Sequence, residues 1–287
     1  MTALTQADFQ TFRTMLKQRT GIALDEGKEY LVESRLAPIV RRDGIEISAI
    51  IADVVRRQSG PLYDEVVDAM TTNETSFFRD VHPFEAMRKE VVPQLLEANA
   101  TRRQLRVLSA ASSTGQEAYT MAMMLRTNFP QLADWDVRIT GTDLSSYALT
   151  RAREARYSQL EVNRGLPATM LRWFRQDGRE FVVSDELRKW CDFRPLNLIQ
   201  PWPPMGSFDI ILLRNVLIYF DQPTKENIIR SAASALAPGG VLLLGASETI
   251  INLNVPLTSE RHGNTTVFRT EDRKAPAWES RPMTSTR

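Results

Sequence analysis

The chain has 287 residues, 43% of them hydrophobic, which is enough length for one large or two modest domains and enough apolar content to fill a core. Its formal net charge of +1, with 25% charged residues well mixed, leaves no electrostatic footprint for nucleic acid, and no apolar run approaches the ~20 residues that span a bilayer. The single cysteine, Cys191, excludes an intramolecular disulfide, and His82 and His262 lie too far apart in sequence to form a metal-ligand pattern.

The chain begins without a basic segment followed by an apolar one, so work in the cytoplasm is expected. From Asp8 to about Met70 apolar residues recur at helical spacing (Phe9, Phe12, Leu16; later Val54, Val66, Val67), which predicts an all-helical unit over residues 1–70. Thr20-Gly21 and Arg42-Asp43-Gly44 read as helix ends, and Pro38 as an interruption or bend. Lys28, Arg35, Arg41 and Arg42 form either a basic stripe for an acidic partner or, with Glu29 and Glu33 interleaved, a solvated face.

Residues 71–85 read as a connector with chemical content: Asn73 and Thr75 offer hydrogen bonds, Phe77 and Phe78 apolar walls, and Arg79 a fork suited to a carboxylate. The same stretch also fits a capped turn with two core aromatics. A helix from Glu85 to Glu97 leads to the strand Leu105–Leu108, and small residues from Ser109 to Gly115 then pass into a helix beginning near Gln116. That loop has one glycine, so the G-x-G-x-x-G dinucleotide fingerprint is absent, while a nucleoside can still lie against the backbone. The strand Val137–Thr142 ends in Asp143, which fits either the ribose hydroxyls of a nucleoside or a helix N-cap.

From Ser158 to Trp190 the alternation breaks, and Asp177-Gly178 marks a hairpin in a small inserted β unit. A strand through Cys191–Leu198 places Asn197 near its end, where a base edge is expected, and the strand at Phe208–Leu213 runs into Arg214, Asn215 and Tyr219. A helix from Glu226 to Leu236, a turn at Ala237–Gly240, the strand Val241–Leu244, a short edge strand at Thr265–Arg269 and a disordered tail over 275–287 complete the reading. The fold class is therefore α/β, a doubly wound, mostly parallel sheet with a small all-α N-terminal domain and an inserted β subdomain at about 160–190.

The loop at Ala111–Gly115, Asp143, the Phe208-Asp209 strand and the Pro-Gly-Gly turn resemble a class I S-adenosylmethionine-dependent methyltransferase. The segments Thr72–Arg79, Ser112–Glu117, Val162–Pro167 and Arg214–Phe220 further resemble the CheR-type chemotaxis receptor glutamate methyltransferases, a likeness that runs from about Phe9 to Phe268. The resemblance implies methyl transfer from S-adenosylmethionine, leaving S-adenosylhomocysteine, to glutamates on the cytoplasmic helical bundle of chemoreceptors, by a monomer and without a metal. It implies a cofactor site lined by Asn73, Thr75, Arg79, Glu117, Asp143, Asn197, Leu198, Arg214 and Asn215, with Arg79 and Tyr219 nearest the transferred methyl. Arg35, Arg41 and Arg42 are the candidates for receptor docking, and residues 86–274 form the methyltransferase domain. Family loops commonly carry a cysteine, a second acid and a proline where this chain has Ser112, Gln116 and Ala118. The hairpin loop of the insert is shorter than in members tethered to a receptor's C-terminal pentapeptide, so tether-independent recognition is expected. A catalytically silent adaptor that binds S-adenosylmethionine is the competing reading.

Overall fold

The computed structural model describes residues 4–270; the tail expected over 275–287 lies outside the described residues. Four helices come first, α1 (Gln6–Thr20), α2 (Glu29–Asp43), α3 (Ile47–Arg57) and α4 (Pro61–Met70), and they close around Phe9, Phe12, Leu36, Ile50 and Met70. Gly21 and Gly44 end α1 and α2 in left-handed conformation and donate their N–H groups to the carbonyls of Lys17 and Val40. Pro38 does not interrupt α2, because it lies on the exposed face, where water can take the orphaned carbonyl of Ser34.

An irregular stretch from Thr71 to Val81 leads into a continuous rod: α5 (His82–Ala86), a π-turn (Met87–Val91) and α6 (Val92–Ala98). Alternation then sets in with β1 (Gln104–Ala110), α7 (Gln116–Asn128), β2 (Asp136–Asp143) and α8 (Ser146–Glu154). The insert follows as β3 (Arg156–Ser158), α9 (Gln159–Asn163), β4 (Phe174–Asp177) and β5 (Glu180–Val183), a separate antiparallel sheet in the order β3-β5-β4. Its hairpin turns on Gly178-Arg179 as Asp177-Gly178 predicts, but the sheet already begins at Arg156. After α10 (Asp185–Arg188) come β6 (Cys191–Pro195), β7 (Phe208–Leu213), α11 (Gln222–Ala235), β8 (Leu236–Leu244), β9 (Leu257–His262) and β10 (Thr265–Thr270).

The main sheet has seven strands in the order β6-β2-β1-β7-β8-β10-β9, parallel from β6 to β8 and antiparallel beyond. Alternate residues of β1 feed opposite faces: Leu105 and Val107 enter the core shared with Met121 and Phe193, Leu108 the core shared with Ile211 and Ile228. Strand order reverses between β1 and β7, which opens a crevice at the carboxyl ends of the strands.

Three features differ from the expectation. The strand at Thr265–Thr270 is not the edge; it lies between β8 and β9, with Val267 and Phe268 buried, and β9 is the edge. The polar run Leu-Thr-Ser-Glu-Arg-His hid β9, since an exposed edge needs no apolar alternation. Residues 237–240 run inside β8, across a register shift opposite Phe208 and Ile210, rather than forming a turn. α11 starts at Gln222, because the Asp221 side chain accepts from the Thr224 N–H (3.1 Å) and Pro223 suits a first turn.

Candidate functional site

The loop between β1 and α7 bends through three residues of positive φ, Ala111 (57°), Ser113 (50°) and Gly115 (93°). Neighbouring elements fix it: Ser112 N–H donates to the Thr142 carbonyl (2.8 Å) and the Ser113 hydroxyl to the Asn73 carbonyl (2.8 Å). A Cβ on Gly115 would stand 2.9 Å from Ala152 Cβ, so glycine is needed there for both its φ and the packing of α8. Ser112 also lines the crevice, but its Oγ is buried close to Gly141, without a protein partner among the described residues.

Asp143 ends β2 with 7% exposure. It does not cap α8; Ser145 does, accepting from the Ala148 N–H (3.0 Å). Asp143 Oδ2 accepts from Ser113 N–H (2.8 Å) and Oδ1 from Ser145 N–H (2.9 Å), so the carboxylate welds the β1 loop to the β2 loop. With the Leu144 N–H also favouring the carboxylate, three of its roughly four acceptor sites are engaged and one is left for a ligand hydroxyl. Burial pushes this carboxyl above the ordinary aspartate range, opposed by the backbone N–H groups of Ser145 and Ser113.

Arg214 follows β7, its side chain 1% exposed, and its guanidinium spans Glu117 (Nη1 to Oε2, 2.8 Å) and Asp80 (Nη2 to Oδ2, 2.9 Å) while also donating to the Arg79 carbonyl (2.8 Å). Glu117 Oε1 accepts from the Ser109 hydroxyl (2.8 Å). This buried cluster ties the connector to the sheet; Arg214 Nε is left unpartnered among the described residues. Arg79 is freer, with one donor, Nη1, spent on the Glu74 carbonyl at 3.1 Å.

One cleft of about 260 Å³ gathers the expected residues. Asn73, Thr75 and Arg79 reach it from the connector, and Glu117, Asp143, Arg214 and Asn215 from the strand ends. Leu198, with Leu144 and Leu196, forms an apolar wall, and Tyr219 closes another side. Asn197 is also present; one Nδ2 hydrogen goes to the Arg19 carbonyl (2.7 Å) and Oδ1 accepts from Ile199 N–H, which fixes the amide and leaves one donor and one lone pair over. Phe77 and Phe78 are not cleft walls. Phe77 is fully buried against Tyr157 and Phe174, Phe78 packs on Phe84, and the cleft aromatics are Phe84, Tyr219 and Phe220.

The helical unit roofs the cleft. Thr20, Ile22–Asp25 and Lys28 line it, Ala23 N–H donates to the Tyr219 carbonyl (3.1 Å), and Lys17 pairs with Asp221 (2.8 Å). Arg35 belongs to this roof rather than to an outer stripe: its guanidinium caps the end of α4 through the Met70 and Thr71 carbonyls and reaches Thr72 Oγ1 (2.8 Å). The seven-residue spacing of Arg35 and Arg42 puts both on one helical face, and Arg42 is committed to Asp43 and Glu65. Arg41 is exposed beside a separate groove with Tyr30 and Ile45.

Sequence reasoning missed Glu248. Its carboxylate accepts four backbone N–H groups, from Asn215 (2.7 Å), Val216 (2.9 Å), Leu217 (2.7 Å) and Gly245 (2.7 Å), and so sets the loop that carries Asn215, itself at φ 58°. An acid three residues past a glycine was the only available signal. Glu248→Gln sets an amide NH₂ against N–H donors and is expected to weaken S-adenosylhomocysteine affinity about tenfold, as calorimetry would read; unchanged affinity would remove this role.

A nucleoside with a cationic sulfur and a free amino acid end fits these groups: an acid at β2 with an acceptor site open, an unsaturated arginine fork and an apolar wall. Among the described residues no cluster of three His, Cys, Asp or Glu is placed to hold a metal, and no helix is long and apolar enough to cross a membrane. Seven strands in this order, with the last strand inserted antiparallel, and this cleft at the switch point define a class I S-adenosylmethionine-dependent methyltransferase. Residues 7–71 match the all-alpha domain of CheR methyltransferases and residues 73–264 their S-adenosylmethionine-binding domain. The chain is 42% identical over 253 residues to chemotaxis protein methyltransferase 1 of Pseudomonas aeruginosa, covering 86% of this chain and 92% of the relative. It is 41% identical over 261 residues to the chemotaxis protein methyltransferase of Vibrio parahaemolyticus, covering 88% and 94%. The chain belongs to the CheR methyltransferase family.

Proposed function

We propose that the chain methylates glutamate side chains on the cytoplasmic helical bundle of chemoreceptors, forming methyl esters for sensory adaptation. The observation that carries this reading is Arg79, a cation with most of its donors unspent in the cleft that Tyr219 also lines. S-adenosylmethionine supplies an electrophilic methyl group and leaves as S-adenosylhomocysteine. A glutamate of ordinary pKa, about 4.3, is already ionised at neutral pH, so the chain need not supply a base, and no histidine lines the cleft. What the residues contribute is position: Asp143 receives a ribose hydroxyl, the Leu198 wall receives the base, and Arg79 grips a carboxylate, that of the cofactor or of the incoming glutamate.

Phe84, Tyr219 and Phe220 give the cleft apolar walls, which suit a reaction in which opposite charges neutralise. Arg41 and Arg42 are both exposed, but Arg42 is paired with Asp43 and Glu65, which leaves Arg41 as the docking candidate in no ion pair among the described residues, and the two-residue Gly178-Arg179 hairpin supports recognition without a tethered pentapeptide. The chain works in the cytoplasm as a monomer in this reading.

Methyl-labelled S-adenosylmethionine and receptor-bearing membranes test it. Label on a receptor-sized band, reduced severalfold by Arg41→Glu at low salt, is the expected result. Cofactor binding without label on any receptor would instead support a catalytically silent adaptor.

A further inference from the structure

Arg79 sits on a backbone that does not hold itself in place. The connector has no regular structure, and Phe78 (φ 49°), Asp80 (φ 66°) and Val81 (φ 37°) occupy conformations that side chains disfavour. Several of its restraints come from outside the insert: Phe78 N–H donates to Thr120 Oγ1 (3.1 Å), Arg214 holds the Arg79 carbonyl and Asp80, the Ser113 hydroxyl holds the Asn73 carbonyl, and Arg35 holds Thr71 and Thr72. Around Phe77 and Glu74 the restraints come from the insert. The Phe77 ring is plugged edge-on between Tyr157 (5.0 Å) of β3 and Phe174 (5.5 Å) of β4.

Beyond α9 the loop Arg164-Gly165-Leu166-Pro167 crosses the connector. Gly165, at φ 91°, lies so close that a Cβ on it would stand 2.2 Å from the Phe77 carbonyl oxygen. Arg164 pairs with the Glu74 carboxylate, and the Glu74 carbonyl accepts the one hydrogen bond of the Arg79 guanidinium. Both residues of the loop therefore grip the connector within five residues of Arg79, one at the backbone and one through Glu74.

We propose that Arg164 and Gly165 of the insert are positioning residues for Arg79, so that the inserted β unit completes the methyl-transfer site rather than only offering an outer surface. The inference rests on the role given to Arg79 above. Neither residue lines the cleft, so each acts through the connector. Arg164 is exposed, so losing its ion pair changes stability little and leaves the fold intact.

The test is a double-mutant cycle on the full chain, read as S-adenosylhomocysteine affinity and as kcat/KM for transfer to a receptor fragment, with the thermal midpoint followed in parallel. Gly165→Ala is expected to lower at least one of these about tenfold, and less than about twofold once Arg79→Ala is present, because neighbours acting through one group are not additive. Arg164→Ala, the variant safe for folding, is expected to lower the same quantity about threefold with the same loss of effect on the Arg79→Ala background. Equal effects in both backgrounds overturn the positioning role and leave the site intact. A silent Arg79→Ala overturns the role of Arg79 and the inference with it.

Discussion

Replacing Arg79 with alanine lowers kcat/KM for methyl transfer by roughly 30- to 1,000-fold, about 2–4 kcal/mol, the usual cost of leaving a carboxylate without its partner in a binding site. Arg79 lines the cleft, and its guanidinium spends a single donor, on the Glu74 carbonyl. The other cleft arginines cannot replace it, since Arg214 is consumed by Glu117 and Asp80, and Arg35 by the end of α4. Arg79→Lys keeps the charge and loses the fork, and is expected to recover only part of the activity. If loss falls on KM for S-adenosylmethionine, Arg79 grips the cofactor's carboxylate; if it falls on kcat at saturating cofactor, it orients the incoming glutamate. Wild-type kcat/KM in Arg79→Ala would remove Arg79 from the site.

Asp143→Asn weakens S-adenosylhomocysteine binding by about 1–3 kcal/mol, because one amide NH₂ must face either Ser113 N–H or Ser145 N–H, both of which the carboxylate now accepts. A pH dependence follows from the same burial. Desolvation raises the folded carboxyl above its ordinary value of 3.8, and only the ionised form keeps all its acceptor sites, the one left for a ribose hydroxyl included. Affinity is therefore full above the raised pKa and declines as pH falls through it, beginning at a higher pH than an ordinary aspartate would dictate. For stability the sign is opposite: a raised carboxyl binds its proton more tightly when folded, so its contribution falls as pH rises from 3.8 through the raised value. Calorimetric titration of both proteins across acidic pH reads this, and an identical slope in Asp143→Asn would exclude Asp143 as its source.

The sheet was legible where strands are buried on both faces, since Phe208–Leu213 leaves no choice but a central strand. It was illegible at β9, where exposed polar residues satisfy an edge without a pattern, and at Arg156–Ser158, too short to show a period. The cleft residues were legible by type: an acid at the end of β2, a fork in the connector, small residues in the β1 loop. Their present employment was not. Asn197 serves the Arg19 carbonyl and Arg35 the end of α4, because such long-range backbone partners leave no mark on local composition. Phe77 followed the plainer of its two readings, a core aromatic, since the insert offered it Tyr157 and Phe174. Glu248 escaped because four N–H groups converging on one carboxylate exist only after the loops of β7 and β8 meet.

The central claim is that the acceptor is a carboxylate. Receptor labelled with radioactive methyl by this protein should be treated with mild base and the volatile fraction counted. Methyl esters hydrolyse under those conditions, so the account predicts that the label leaves the receptor as methanol. Label that stays on the protein through base would mark transfer to nitrogen or another stable acceptor and would contradict the account.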